Sequence, residues 1–224
     1  MIVIAAIMSI FTILAVTVTI VDNNESIASV IFLNSSVGEW VTPFLSIIPL
    51  FVLLSIMSDA FILDLKISEI YVIPRMFSVC KWYVCRQILL LVQVFIYVMF
   101  YVIFIYVYSF ILNMSIRTNV QDFMLFLFLF LLFSYSATIT VITLSLLITA
   151  KWATVLYYSY LALGIVIAGK SFNSFFRIIN PANNLFYHWN SLTLWQIIMY
   201  NLLLLIPMII SGYFILNKKQ IRGT

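Results

Sequence analysis

Charge is what the long apolar runs of this sequence lack. Six runs can be drawn, roughly 1–21, 42–58, 88–112, 123–149, 152–169 and 195–216, and none contains Asp, Glu, Lys, Arg or His. Each is close to the ~20 apolar residues that a helix needs to cross a bilayer. A membrane protein that moves ions or protons by itself usually keeps an ionisable group at membrane depth. The empty interior therefore disfavours ion-coupled transport and points to energy or chemistry supplied by another subunit.

Cysteine, histidine and glycine are scarce as well. Cys80 and Cys85 are the only cysteines. On the expected cytosolic side a disulfide is disfavoured, and two cysteines without neighbouring histidines make no metal site. They read as free thiols at the membrane edge. The single histidine, His188, has no carboxylate or cysteine constellation around it and reads as an interfacial polar residue. With 5 glycines, the chain has no phosphate-binding Gly-rich loop, no glycine-flanked Ser elbow and no broken helices of the secondary-transporter kind. A His-Glu-x-x-His motif is missing too, and the polar groups in the runs are hydroxyls and the amides of Gln93, Gln196 and Asn201. The chain is expected to be no enzyme by itself and to bind no cofactor or metal.

What is present is hydrocarbon. The 224 residues are 65% hydrophobic and 8% charged, against roughly 25% charged in soluble proteins. Six spans consume over half the length and leave no room for a soluble domain, so 1–224 reads as one polytopic membrane domain. The runs are continuous rather than alternating, which favours helices over a barrel with its two-residue period. The expected fold is all-α with six transmembrane helices. The first run has no basic segment before it and no cleavage motif, and it exceeds the ~7–15 apolar residues of a signal peptide, so it reads as a retained helix.

Charge placement gives orientation. Lys66, Arg75, Lys81, Arg86, Lys151, Lys218, Lys219 and Arg222 fall on one side, and Arg117, Lys170 and Arg177 on the other. Eight against three predicts both termini in the cytoplasm. Abundant Ile, Phe, Tyr and Asn suit an AT-rich bacterial genome, in which the Asn-x-Ser matches at Asn24, Asn34 and Asn113 carry no meaning as glycosylation sites.

Several segments are candidates for function. Ala5, Ser9, Thr12 and Thr19 give the first run a small, hydroxylated face suited to close helix approach, either within the chain or toward a second subunit. Pro43 and Pro49 predict an irregular second span. Residues 59–87 mix Asp59, Asp64, Lys66, Glu69, Arg75, Ser78, Lys81 and Arg86 with apolar residues. They are expected to form a short helix along the cytosolic surface, a break at Pro74 and a second helix leading into span three. This connector is either a plain solvated link or, as preferred, the docking element for a cytosolic partner.

Gln93, Tyr97, Tyr101, Phe104 and Tyr108 stripe span three at helical spacing. The rings either pack against neighbouring helices or line a path for an amphipathic passenger, their hydroxyls needing partners in lipid. Ser134, Ser136, Thr138, Thr140, Thr143 and Ser145 dot span four, and Gly164 and Ala168 place small residues four apart in span five. Residues 170–194 are too apolar for a solvated loop and too short to span twice, and are expected to form interfacial or re-entrant helices. Pro207 interrupts the last span.

This layout, together with Ile73-Pro-Arg75-Met-Phe-Ser78-Val-Cys-Lys81-Trp82 and the ending Gly212-Tyr-Phe-Ile-Leu-Asn-Lys218-Lys219-Gln-Ile-Arg222, resembles the type-2 ATP-binding-cassette (ABC) permeases over essentially the whole chain. The match is one of layout more than of signature. The resemblance implies a pair of permeases, identical or different, each bound to a cytosolic ATPase that carries the ATP and Mg. It implies coupling through Asp59, Asp64, Lys66, Glu69, Arg75, Ser78 and Lys81, and a permease-dimer face formed by Ser9, Thr12, Gly164 and Ala168. The family's amphipathic helix before span one has no counterpart here, which favours a mixed pair. Small permeases of this kind export membrane-active peptides such as bacteriocins, lantibiotics or phenol-soluble modulins. The expectation is thus an exporter permease subunit in a bacterial plasma membrane, moving amphipathic peptides past Gln93, Tyr97, Tyr101 and Tyr108. The alternative is a non-transporting assembly, immunity or sensor subunit.

Overall fold

The computed structural model describes residues 41–71, 79–111, 120–168 and 194–222, together with Ile7. Among these residues the fold is all-helical, with five helices and no strand: α1 (Val41–Tyr71), α2 (Val79–Ile111), α3 (Val120–Ser145), α4 (Ala150–Ala168) and α5 (Leu194–Arg222). Five of the six apolar runs thus coincide with helices. The first run, apart from the helical Ile7, lies outside the described residues, as does the segment expected to be re-entrant. Four helices contain a stretch long and apolar enough to cross a membrane: Ile48–Ile67, Val79–Tyr108, Leu127–Ser145 and Trp195–Lys218. The chain is accordingly built as a membrane-embedded protein.

The connector after the second run differs from the expectation. The helix does not stop where the apolar run ends at Ser58; α1 continues without interruption to Tyr71. Asp59, Asp64, Lys66 and Glu69 therefore extend the spanning helix itself and do not form a separate surface helix. The physical reason is plain in the sequence: no proline or glycine lies between Pro49 and Pro74, and a charged side chain ends an apolar span without breaking a backbone hydrogen-bond ladder. Likewise Lys81 and Arg86 stand in the first turns of α2, which starts at Val79 and continues into span three. Pro43 sits in the first turn of α1, where its missing N–H costs nothing, while Pro49 is inside the helix and deprives the Leu45 carbonyl of its donor.

α3 is the hub, packing against all four other helices. Its inner residues Phe133, Ala137, Val141 and Ile142 are buried, and they join Leu50, Leu53 and Leu54 of α1, Val94, Tyr97, Val98 and Tyr101 of α2, and Ala153 and Leu161 of α4 in one core. The same helix carries the small and hydroxylated residues Ser134, Ser136, Ala137, Thr138 and Thr143, all buried. In lipid the apolar effect gives helices little reason to associate, so short side chains that permit close approach do that work. Thr138 and Thr140 bond the carbonyls of Ser134 and Ser136 on the preceding turn, at 2.7 and 2.8 Å. Their polarity is thereby absorbed without a distant partner.

A tight turn at Leu146–Thr149 separates α3 from α4. The N–H groups of Leu147 and Ile148 both bond the Leu144 carbonyl, at 2.9 and 3.0 Å, and the Thr149 carbonyl accepts the first bond of α4, from Ala153 at 3.0 Å. Thr149 thus occupies the N-cap position, a favoured place for threonine. Lys151 is exposed in the first turn of α4. α5 is the least enclosed of the four spanning helices: Trp195, Met199, Leu203, Ile206, Ile210 and Phe214 face outward, as a lipid-contacting helix requires.

Candidate functional site

The end of the α1–α2 hairpin gathers the charged residues. Asp64 on α1 and Arg86 on α2 form an ion pair, their side chains 33% and 24% exposed. Asp64 lies seven residues before the last residue of α1 (71 − 64), and Arg86 seven after the first residue of α2 (86 − 79). At ~1.5 Å per residue each is about 10 Å from its helix end, so the two helices meet at matching height. Phe61 and Trp82 pack across the same junction with ring centroids 6.1 Å apart. Trp82 is buried, whereas Asp59, Lys66 and Lys81 are exposed on the hairpin's surface. Glu69 belongs to the last turns of α1; Arg75 and Ser78 lie outside the described residues.

Of the seven residues assigned to coupling, the structure thus arranges Asp59, Asp64, Lys66, Glu69 and Lys81 on the two arms of one hairpin. Arg86, expected in the 59–87 connector but not among the coupling residues, is the partner that ties the arms together. The signal available in the sequence was two opposite charges flanking Pro74, ten residues before it and twelve after (74 − 64 and 86 − 74).

A cleft of about 40 Å³ opens between α1 and α2 just beyond this pair, lined by Met57, Ala60, Phe61, Arg86, Leu89, Leu90 and Gln93. It is far below the ~300–1,000 Å³ usual for small-molecule sites. Among the described residues no group of three or more His, Cys, Asp or Glu could hold a metal ion. Cys80 and Cys85 are both free and exposed.

The span-three stripe separates into two parts. Tyr97 and Tyr101 are 1% and 2% exposed, inside the chain's own core, while Tyr108 is partly buried and Gln93 is exposed. The Tyr97 hydroxyl donates to the Pro49 carbonyl of α1 at 2.9 Å. The rings of Phe104 and Tyr108 stack one turn apart at 6.2 Å. Gly164 and Ala168 stand one turn apart on α4, and Ser9 and Thr12 lie outside the described residues.

A second polar junction joins α2, α3 and α5 near Pro207. Tyr83 donates its hydroxyl to the Ile209 carbonyl at 3.1 Å, and Thr143 donates to the Met208 carbonyl at 3.1 Å. Gly212 makes this approach possible: a Cβ there would lie 2.5 Å from the Tyr83 hydroxyl oxygen and 3.2 Å from Thr143 Oγ1. About two turns away on the same α3 and α5, Ser136 donates to the Asn201 side-chain oxygen at 3.3 Å, and the Asn201 amide donates to the Ile197 carbonyl at 3.0 Å. Ser58 of α1 and Thr154 of α4 meet at 3.3 Å. Single hydroxyls in apolar runs announced packing roles, but which helices they join could not be read from spacing.

Comparison of the chain with protein-family models, with curated proteins and with solved structures finds no match.

Proposed function

We propose that the chain is the membrane permease subunit of an ATP-binding-cassette exporter, moving amphipathic or membrane-active peptides out of a bacterial cell with energy from a separate ATPase. In this reading the chain crosses the plasma membrane six times with both termini in the cytoplasm, residues 170–194 form re-entrant helices on the outer side, and a second permease subunit completes the path. The chain itself performs no catalysis; ATP and Mg belong to the ATPase.

The observation that carries the reading is the α1–α2 hairpin. Its two helices run without interruption from apolar spans into a charged end and are joined there by Asp64 and Arg86. A load applied to that end is delivered to the spans by continuous helix, where a flexible loop would dissipate it. Exposed Asp59, Lys66 and Lys81 offer both signs of charge to a cytosolic partner, with Glu69, Arg75 and Ser78 completing the contact. The charge-free interior suits a passenger that is itself apolar on one face.

One observation favours the second reading, a non-transporting assembly, immunity or sensor subunit: Tyr97 and Tyr101, candidates for the path, are enclosed by the chain's own core. The two readings separate in inside-out vesicles carrying the complex. ATP-dependent uptake of a fluorescent amphipathic peptide, abolished by vanadate, supports the exporter. Binding of the peptide without ATP-dependent accumulation supports the non-transporting subunit.

A further inference from the structure

The cleft between α1 and α2 sets an ion pair and an amide in one line. Arg86 and Gln93 both line it, and they stand seven residues apart on α2 (93 − 86), two turns along one face of the helix. Gln93 is five residues inside the apolar run that begins at 88 (93 − 88), a depth of about 7–8 Å. Helical side chains lean toward the N-terminal end, so its amide is carried back toward Arg86, to the boundary between hydrocarbon and headgroups. Arg86, two residues outside the run (88 − 86), lies in the headgroup layer, which is roughly 5–8 Å thick. In a phospholipid the groups at these two depths are the glycerol ester carbonyls and the phosphate.

Size and shape suit a lipid better than a dissolved solute. The cleft holds about 40 Å³, room for roughly two or three water-sized groups, enough for an ester carbonyl and too little for a whole headgroup. It opens sideways between Ala60 of α1 and Leu89 and Gln93 of α2, all three exposed. From Leu89 the exposed Ile96 and Ile103 continue the same row at seven-residue steps (96 − 89 and 103 − 96), a track for an acyl chain. An apolar row alone accepts any lipid tail; selection has to come from the polar end.

There the charges are of both signs, because Arg86 is paired with Asp64. A phosphate with no cation of its own would meet the Asp64 carboxylate as well as the guanidinium, and the two would oppose each other. A zwitterion matches both: its phosphate oxygens accept from Arg86, and its ammonium donates to Asp64. A primary ammonium has N–H groups to give, and a quaternary one has none. Lys66 and Lys81, exposed on the same hairpin, do not line the cleft.

We propose that this cleft binds one phospholipid with a zwitterionic primary-amine headgroup, phosphatidylethanolamine being the simplest, in the leaflet next to the charged end of the hairpin. Its phosphate lies on Arg86, its ammonium on Asp64 and an ester carbonyl on the Gln93 amide. The site belongs to the α1–α2 hairpin and does not depend on the transport reading.

The test is native mass spectrometry of the full chain released from detergent micelles. The micelles contain equimolar phosphatidylethanolamine, phosphatidylcholine and phosphatidylglycerol with the same acyl chains. The proposal expects a one-to-one adduct with phosphatidylethanolamine in preference to the other two. Gln93→Leu leaves the ion pair intact at an exposed position; it should keep the wild-type melting temperature and weaken that adduct about three- to tenfold, the worth of one hydrogen bond. Asp64→Asn removes the carboxylate and keeps the guanidinium, so its folded fraction should shift preference to phosphatidylglycerol. No adduct, equal adducts of the three lipids, a wild-type preference for phosphatidylglycerol, or phosphatidylethanolamine binding that Gln93→Leu leaves unchanged overturns the proposal.

Discussion

Asp64 and Arg86 close the α1–α2 hairpin from positions equidistant from its two helix ends. With about a quarter to a third of each side chain still exposed, the pair is neither a free surface contact nor a fully buried one. Its worth lies between the ~0–1 kcal/mol of surface pairs and the ~3–5 kcal/mol lost when a buried partner is removed. Asp64→Ala and Arg86→Ala should each destabilise the protein by about 1–2 kcal/mol, with the double variant costing much less than the sum. Thermal unfolding in detergent checks this; additive losses would show that the two side chains are not coupled.

Gly212→Ala should be costly for so small a change. The added methyl displaces the Tyr83 hydroxyl from the Ile209 carbonyl, a loss on the order of 1–3 kcal/mol typical of overpacking. Adding Tyr83→Phe removes the crowded oxygen and should recover part of the loss, seen as a higher melting temperature for the double variant than for Gly212→Ala alone.

Neighbouring serines of α3 should respond in opposite ways. Ser134 Oγ is buried without a hydrogen-bond partner, so Ser134→Ala relieves a desolvated hydroxyl and leaves stability unchanged or higher. Ser136 bonds Asn201 and the Phe133 carbonyl, and Ser136→Ala should cost about 0.5–1.5 kcal/mol. The same unfolding assay compares them.

Tyr97→Phe tests whether the span-three tyrosines pack or conduct. Because the hydroxyl is spent on the Pro49 carbonyl, the variant should lose roughly 1 kcal/mol of stability while peptide uptake in vesicles is unchanged. A selective loss of uptake at unaltered melting temperature would put Tyr97 in the path.

Much of this architecture was legible in the sequence because apolar length is a direct physical requirement of the bilayer. The helices α3 and α4 follow their apolar runs closely, while α2 starts nine residues before its run and α5 ends six residues after its own (88 − 79 and 222 − 216). Where the runs misled was at polarity: Asp59 marks the end of an apolar stretch, yet α1 passes through it, since helix continuity depends on backbone bonding and not on the medium around the side chains. The candidate site was legible in part. Lys66 and Lys81 announce a charged end, but Arg86 acquires its role only when the hairpin sets it beside Asp64. Gly212 could not be recognised as a contact residue, because what it admits, the Tyr83 hydroxyl, comes from 129 positions away (212 − 83).

The most direct measurement of the central claim is recovery of the tagged chain from native membranes in mild detergent, with mass spectrometry of what accompanies it, for wild type and for the Arg75→Glu/Lys81→Glu variant. The account predicts an ABC-type ATPase with the wild type, and its loss from the charge-reversed variant while the variant itself remains folded and membrane-inserted. Recovery of the wild-type chain without any ATPase across several detergents would contradict it.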